Sequence, residues 1–242
     1  MRGRRRKSER GGRLWLIIGI GVLVILVSGG LIAYNILSRE TCGYLGVGGV
    51  EVYFDSSSKL LPNMSLVAVG PRVARYEVYV FYDLYCPYCA WELYESLGIL
   101  LSYARDGKIK LYFVDTILHP EALEPHGLLR ATVGFDSIFL EALYKASCQL
   151  HVNRVLPDAS FMRRVLSEFN VSTDDKRVRD EAGVAQRISG EAVQLLATIT
   201  GNPAYVGTPT IVVYDVEFGR IVNLVPGRVE PGKLDSLLRS LP

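Results

Sequence analysis

Tyr76-Glu77-Val78-Tyr79-Val80-Phe81-Tyr82-Asp83-Leu84-Tyr85-Cys86-Pro87-Tyr88-Cys89 reads as a strand that hands over to a helix, with two thiols at the junction. The run from Tyr76 to Tyr82 is aromatic and β-branched with one charge, the pattern of a strand covered on both faces. A thiol at the start of a helix faces unpaired backbone N–H groups and the positive end of the helix dipole, which favour thiolate over thiol. Cys86 is therefore the expected nucleophile. Cys89, one turn further in, is placed to attack a mixed disulfide on Cys86, so it is the expected resolving thiol.

Working outward, Ala90 to Ala104 carries Leu93, Leu97, Leu100 and Leu101 at helical spacing, and Gly107 closes that helix. Lys108 to Val114 is a second strand, and the strand-helix-strand order implies that it pairs in parallel with the first. From about residue 120 to 200 the periodicity is helical, with Asp158, Asp174 and Gly201 as caps or turns. Pro209 to Tyr214 and Ile221 to Val225 then flank a turn near Phe218-Gly219 as a hairpin, and Pro231 to Leu241 forms a closing helix. Upstream, residues 38–64 read as a connector, with Val50 to Phe54 as an edge strand or hairpin arm.

The N-terminal part has a different composition. Residues 14–37 are 24 residues without a charge, and ~20 apolar residues suffice to cross a bilayer as a helix. The apolar core of a cleavable signal peptide is shorter, so one uncleaved transmembrane helix is expected. Residues 1–13 hold seven of the 27 basic residues and one of the 25 acidic ones, which by the positive-inside rule places this tail in the cytoplasm and the rest outside. Residues 14–242 keep 20 basic and 24 acidic side chains, and no basic cluster of the kind that grips a phosphate backbone, so nucleic-acid binding is excluded. Outside the membrane disulfides persist. Cys42 and Cys148 are isolated in sequence, which argues against a zinc site. We take them as a second, structural disulfide; the rival is an electron relay through Cys42, five residues past the apolar run. The three histidines, His119, His126 and His151, are expected in loops or on helix surfaces and make no metal site.

The motif Phe81-Tyr82-Asp83-Leu84-Tyr85-Cys86-Pro87-Tyr88-Cys89, the helical insertion, Val206-Gly207-Thr208-Pro209-Thr210 and the terminal hairpin plus helix, in this order, resemble the DsbA-like thiol–disulfide oxidoreductases of the thioredoxin superfamily. The resemblance covers roughly residues 65–241. It implies an α/β thioredoxin-like fold over 65–242 with an all-helical insertion, preceded here by the membrane anchor. It also implies a cis peptide between Thr208 and Pro209, with Thr208 facing the dithiol and pairing with a substrate chain by strand addition. Pro87, Tyr88 and Tyr85 flank the thiols, the tyrosines as a rim for an unfolded client. The implied activity is donation of disulfides to exported thiol proteins, reoxidised by a quinone-linked membrane oxidase of the DsbB or VKOR type, with no bound cofactor or metal. A reductase or isomerase on the same fold, and a non-enzymatic tethered binding module, are the alternatives. One position departs from the pattern: Val80 stands six residues before Cys86, where relatives often carry a buried carboxylate. Asp83 and Glu77 are the nearby acids, read as a turn cap and a strand-end residue.

Overall fold

A computed structural model of the chain describes residues 42–242 apart from 47, 136, 203 and 205. The basic tail and the apolar run 14–37 lie outside the described residues. Within them, no helix is long and apolar enough to cross a membrane.

One sheet of six strands organises the chain in the order β1-β2-β4-β3-β5-β6. The central strands are β3 (Tyr76–Tyr82) and β4 (Ile109–Asp115), parallel to each other with Tyr82 opposite Asp115. Every residue of both is buried, as the continuous apolar run required. The helix α1 (Pro87–Arg105) makes the crossover between them. The hairpin of β5 (Thr210–Asp215) and β6 (Arg220–Pro226) extends the sheet antiparallel to β3, and β1 (Val52–Asp55) and β2 (Leu66–Val69) extend it antiparallel beyond β4. β1 lies at the sheet edge, where an edge strand was expected over Val50 to Phe54; β2, which joins it to the sheet, was not foreseen. Lys110, which reads as an outward polar residue of an alternating strand, is buried and pairs with Asp55 of β1. Asp55, the Arg72 carbonyl and the rings of Tyr53 and Tyr112 enclose it.

Between β4 and β5 the chain is helical. A 3₁₀ turn (Pro120–Ala122) leads into α2 (Leu123–Arg130), α3 (Ile138–His151), α4 (Ala159–Glu168) and α5 (Asp175–Thr200). Asp158 and Asp174 accept backbone N–H groups at the starts of α4 and α5, and Gly201 ends α5 with φ 66°. The pleat sends alternate strand residues to two cores. Val78, Val80 and Tyr82 pack with Leu93, Leu97 and Leu100 of α1 and with α2–α4 and α6 (Pro231–Arg239) on one face. Tyr79 and Phe81 pack with Ile188, Ala192 and Leu196 of α5 on the other. Gly127 sets how closely α2 meets α5: a Cβ there would lie 2.6 Å from the Val178 carbonyl oxygen. Cys42 is bonded to Cys148 of α3, and Glu141 of α3 accepts the Leu45 and Gly46 N–H groups at 2.8 and 2.9 Å, so the arm before β1 is fastened to the helical segment.

Candidate active site

Cys86 occupies the position just before the first turn of α1, with extended backbone (φ −78°, ψ 117°), and Pro87 opens the helix, where its missing N–H costs nothing. Both Cys86 and Cys89 are free thiols. Their surroundings push them in opposite directions. Cys86 is lowered to about 6, first by its hydrogen bond with the Cys89 thiol, against burial, and further by contact with Thr208 and the backbone N–H groups of Cys89 and Tyr88. Cys89, 1% exposed, is held well above the usual thiol range, chiefly by burial and then by its bond to Cys86. At neutral pH Cys86 is mostly thiolate and Cys89 is protonated.

The far wall is the turn before β5. The Thr208–Pro209 peptide is cis, as the resemblance implied, and the Cys86 sulfur lies 3.2 Å from the Thr208 carbonyl oxygen, to which its protonated form donates. The turn is held by Thr210 Oγ1 donating to Gly207 O at 2.8 Å and by Gly227 N–H donating to Pro209 O at 2.8 Å. Tyr88 stands exposed beside the thiols, and Leu118, which the sequence did not single out, is a second exposed apolar residue on the loop after β4. Tyr85 is half-buried against the core.

Beneath the thiol loop lies a buried polar cluster. Asp83, fully buried, accepts the N–H groups of Tyr85 (2.9 Å), Leu118 (2.8 Å) and His119 (2.9 Å) and the His119 ring at 2.8 Å. Its own N–H points at the Cys89 sulfur at 3.5 Å. The His126 ring first, and then the bonds from Tyr85 and His119, override burial and hold the Asp83 carboxyl at about 2. It caps the turn, as expected, and with its lone pairs occupied it has no place for a proton. His126 is a correction: it is on α2, but fully buried rather than on the helix surface. Its Nδ1 lies 2.7 Å from Asp115, and its Nε2 accepts the Leu84 N–H at 3.1 Å. Burial disfavours an imidazolium while Asp115 and Asp83 favour one. The Leu84 N–H decides for the neutral Nδ1–H tautomer, since a protonated Nε2 would set two donors against each other. Arg130, one turn on, donates to Asp115 at 2.8 Å, to Ser65 O at 2.9 Å and to Glu181 at 3.0 Å, and Tyr82 donates to Asp115 at 3.1 Å. The four-residue spacing of His126 and Arg130 was the available signal; nothing local showed that Asp115 would meet both.

Val80 is fully buried in the apolar core under α1, so no carboxylate lies at that position. One does lie on α1 itself. Glu92, 0% exposed, accepts the Val229 N–H at 2.8 Å through Oε2, while Oε1 has no hydrogen-bond partner. Burial raises its carboxyl to about 7. The sequence reading passed over it because a single acid within an apolar stripe gives no periodic signal.

A strand, a dithiol at the head of a crossover helix and a cis-proline turn facing it now stand together, and a model of the thioredoxin family matches residues 63–221. The chain belongs to that family. No curated protein sequence matches it. Among solved structures, this thioredoxin-family chain is similar to α-DsbA1 of Wolbachia pipientis, at 16% identity and a TM-score of 0.58 over 77% of this chain and 96% of that one. It is similar also to a thioredoxin-like oxidoreductase of Silicibacter pomeroyi DSS-3, at 20% identity and a TM-score of 0.52 over 72% and 90%. A third is MdbA of Corynebacterium matruchotii, described as a thiol-disulfide oxidoreductase, at 14% identity and a TM-score of 0.50 over 84% and 96%. At these identities the likeness is one of fold: a thioredoxin-like sheet with DsbA-like neighbours.

Proposed function

We propose that this protein is a membrane-anchored, extracytoplasmic thiol–disulfide oxidoreductase that introduces disulfides into exported proteins. The observation that carries it is the Cys86 sulfur, poised as a thiolate at the head of α1 and 3.2 Å from the Thr208 carbonyl oxygen, with a protonated, buried Cys89 behind it. A client thiolate attacks Cys86 of the oxidised pair; the Cys86–Cys89 bond breaks, Cys89 leaves with the bonding electrons, and a mixed disulfide forms. A second client thiolate then attacks the client sulfur of that bond and Cys86 leaves. Two electrons have passed to the pair, and the client holds a new disulfide. Cys86 is a good leaving group because its thiolate is stable. Thr208 offers its backbone to the client chain beside Cys86, and Tyr88, Tyr85 and Leu118 give that chain an apolar rim.

The fold likeness to MdbA, described as a thiol-disulfide oxidoreductase, supports the exchange chemistry. The apolar run 14–37 and the basic tail before it support anchoring in the cell membrane with the N-terminus in the cytoplasm. Reoxidation falls to a quinone-linked membrane oxidase of the DsbB or VKOR type. The test is the redox potential of the Cys86–Cys89 pair in the full chain in detergent, equilibrated in glutathione buffers. A value above about −180 mV supports donation, and one below about −250 mV overturns it in favour of a reductase. Cys86→Ser abolishes exchange if either redox reading holds; retained function would leave the binding module.

A further inference from the structure

Two short motifs of the chain have no part in the exchange site. Asn63-Met64-Ser65 and Asn170-Val171-Ser172 both read Asn-x-Ser, the pattern on which N-linked glycans are placed. The chain has six asparagines, and these two are set apart by structure as well as by pattern. Both are exposed, each in a turn with left-handed backbone, φ 65° at Asn63 and 56° at Asn170. Asn63 stands between β1 and β2, its N–H donating to Ser56 O at 3.1 Å; Asn170 follows the last turn of α4, its N–H donating to Ser167 O at 3.1 Å. Neither side-chain amide makes a hydrogen bond among the described residues. Asn153, by contrast, donates its amide to Gln149 at 3.2 Å, Asn202 accepts the Ala204 N–H at 2.9 Å, and Asn223 lies within β6. Asparagine tolerates the left-handed region better than most residues, so the two turns account for Asn at both positions. They do not account for a serine two residues later. The Ser65 and Ser172 hydroxyls make no hydrogen bond among the described residues, so neither serves to hold its turn.

We propose that Asn63 and Asn170 are acceptors of an N-linked oligosaccharide. The assignment goes beyond the exchange chemistry and rests only on the extracytoplasmic placement proposed above, because the donor is a lipid-linked oligosaccharide presented on the outer face of the membrane. In the transfer, Nδ2 of the asparagine bonds to the anomeric carbon of the first sugar. The bond from that carbon to the lipid phosphate breaks, the phosphate oxygen keeps the electron pair, and the amide loses one proton to solvent. Both acceptors stand apart from the residues that face a client. Asn170 is at the far end of α4 from Asp158, whose charge acts on Tyr85, and the 10 residues of α4 put about 15 Å between its ends. Asn63 precedes β2, whereas the Thr208 turn leads into β5, three strand steps away and roughly 14 Å across the sheet.

The experiment extracts the full chain in detergent from its native membranes, digests it with trypsin and reads the peptides Leu60–Arg72 and Val165–Lys176 by mass spectrometry. Each is expected to carry the added mass of an oligosaccharide on its asparagine. Ser65→Ala and Ser172→Ala are each expected to lose the glycan from their own peptide and keep it on the other. Ser65→Thr and Ser172→Thr are expected to keep both, since the transfer needs the hydroxyl and not the serine. Unchanged Cys86 alkylation in all four shows that the variants fold. Each site stands or falls by its own peptide: a bare asparagine, or a saccharide that survives the alanine substitution, overturns it. Placement is read separately, by labelling Cys86 in intact cells with a membrane-impermeant maleimide. Bare peptides from a chain whose Cys86 is labelled overturn this assignment alone. Labelling only after lysis overturns the extracytoplasmic reading and this assignment with it.

Discussion

Two acidic walls flank the same pair of thiols, equally buried and opposite in behaviour. Under the loop, Asp83 and Asp115 are saturated: every oxygen meets an N–H, a ring nitrogen, a hydroxyl or a guanidinium. On α1, Glu92 meets one N–H, from Val229, and has the Ser96 hydroxyl beside it. The first wall holds its carboxyls below their ordinary range and the second holds its carboxyl above it. Burial alone raises all three; the number of donors decides the sign. A saturated wall fixes its loop, whereas the half-satisfied one changes its charge near neutral pH.

Arg130→Met breaks the contrast most severely. It leaves Asp115 buried without its cation, and we expect a loss of about 3–5 kcal/mol in urea unfolding at pH 7. A loss below about 1 kcal/mol would show that charge pairing does not hold that wall. Glu92→Gln tests the other side. A carboxyl whose folded value of about 7 exceeds its unfolded one stabilises the fold fully below about pH 4.5, and that contribution is lost as pH rises through 7. Wild type should therefore lose roughly 3 kcal/mol between pH 4.5 and 8 that Glu92→Gln does not lose. The pH dependence of urea midpoints checks this, and parallel curves would refute it. Asp83 has the reverse sign: its contribution is present above about pH 3.8 and lost as pH falls through about 2. Asp83→Asn should remove about 2 kcal/mol of that acid-side loss, read from acid unfolding curves. The smallest effect is on the nucleophile. The pH midpoint of Cys86 alkylation should stay near 6 in Glu92→Gln, because Cys89, Thr208 and the helix N–H groups set it, and a shift of a full pH unit would mean the walls and the nucleophile are coupled.

The central frame was legible because its signals are local. An unbroken apolar run marked β3, leucines at helical spacing marked α1, and a dithiol at their junction marked the site. β2 escaped because Leu66–Val69 is four apolar residues with no alternation to show, and its assignment depends on a partner, β4, more than forty residues away. Apart from Asp83, read as a turn cap, both walls escaped for the same reason. That Asp115, His126 and Arg130 meet depends on how the helical segment folds back over the sheet, and that Glu92 is buried depends on the loop before α6 closing over it. The Thr208–Pro209 turn was found through the resemblance, since nothing in its own composition demands a cis bond.

The Cys42–Cys148 bond closes a covalent ring through β1–β4, α1 and both reactive thiols. Thr208 and Pro209 lie outside it, so the site is assembled across the ring's edge and held there by noncovalent contacts, among them the pairing of β5 with β3 and the Val229 N–H on Glu92. A backbone cut anywhere inside the ring leaves the pieces bonded to one another, whereas a cut in α5 leaves the client-facing turn tied to the thiols by noncovalent contacts alone. The ring thus protects the reacting atoms and leaves their recognition surface detachable.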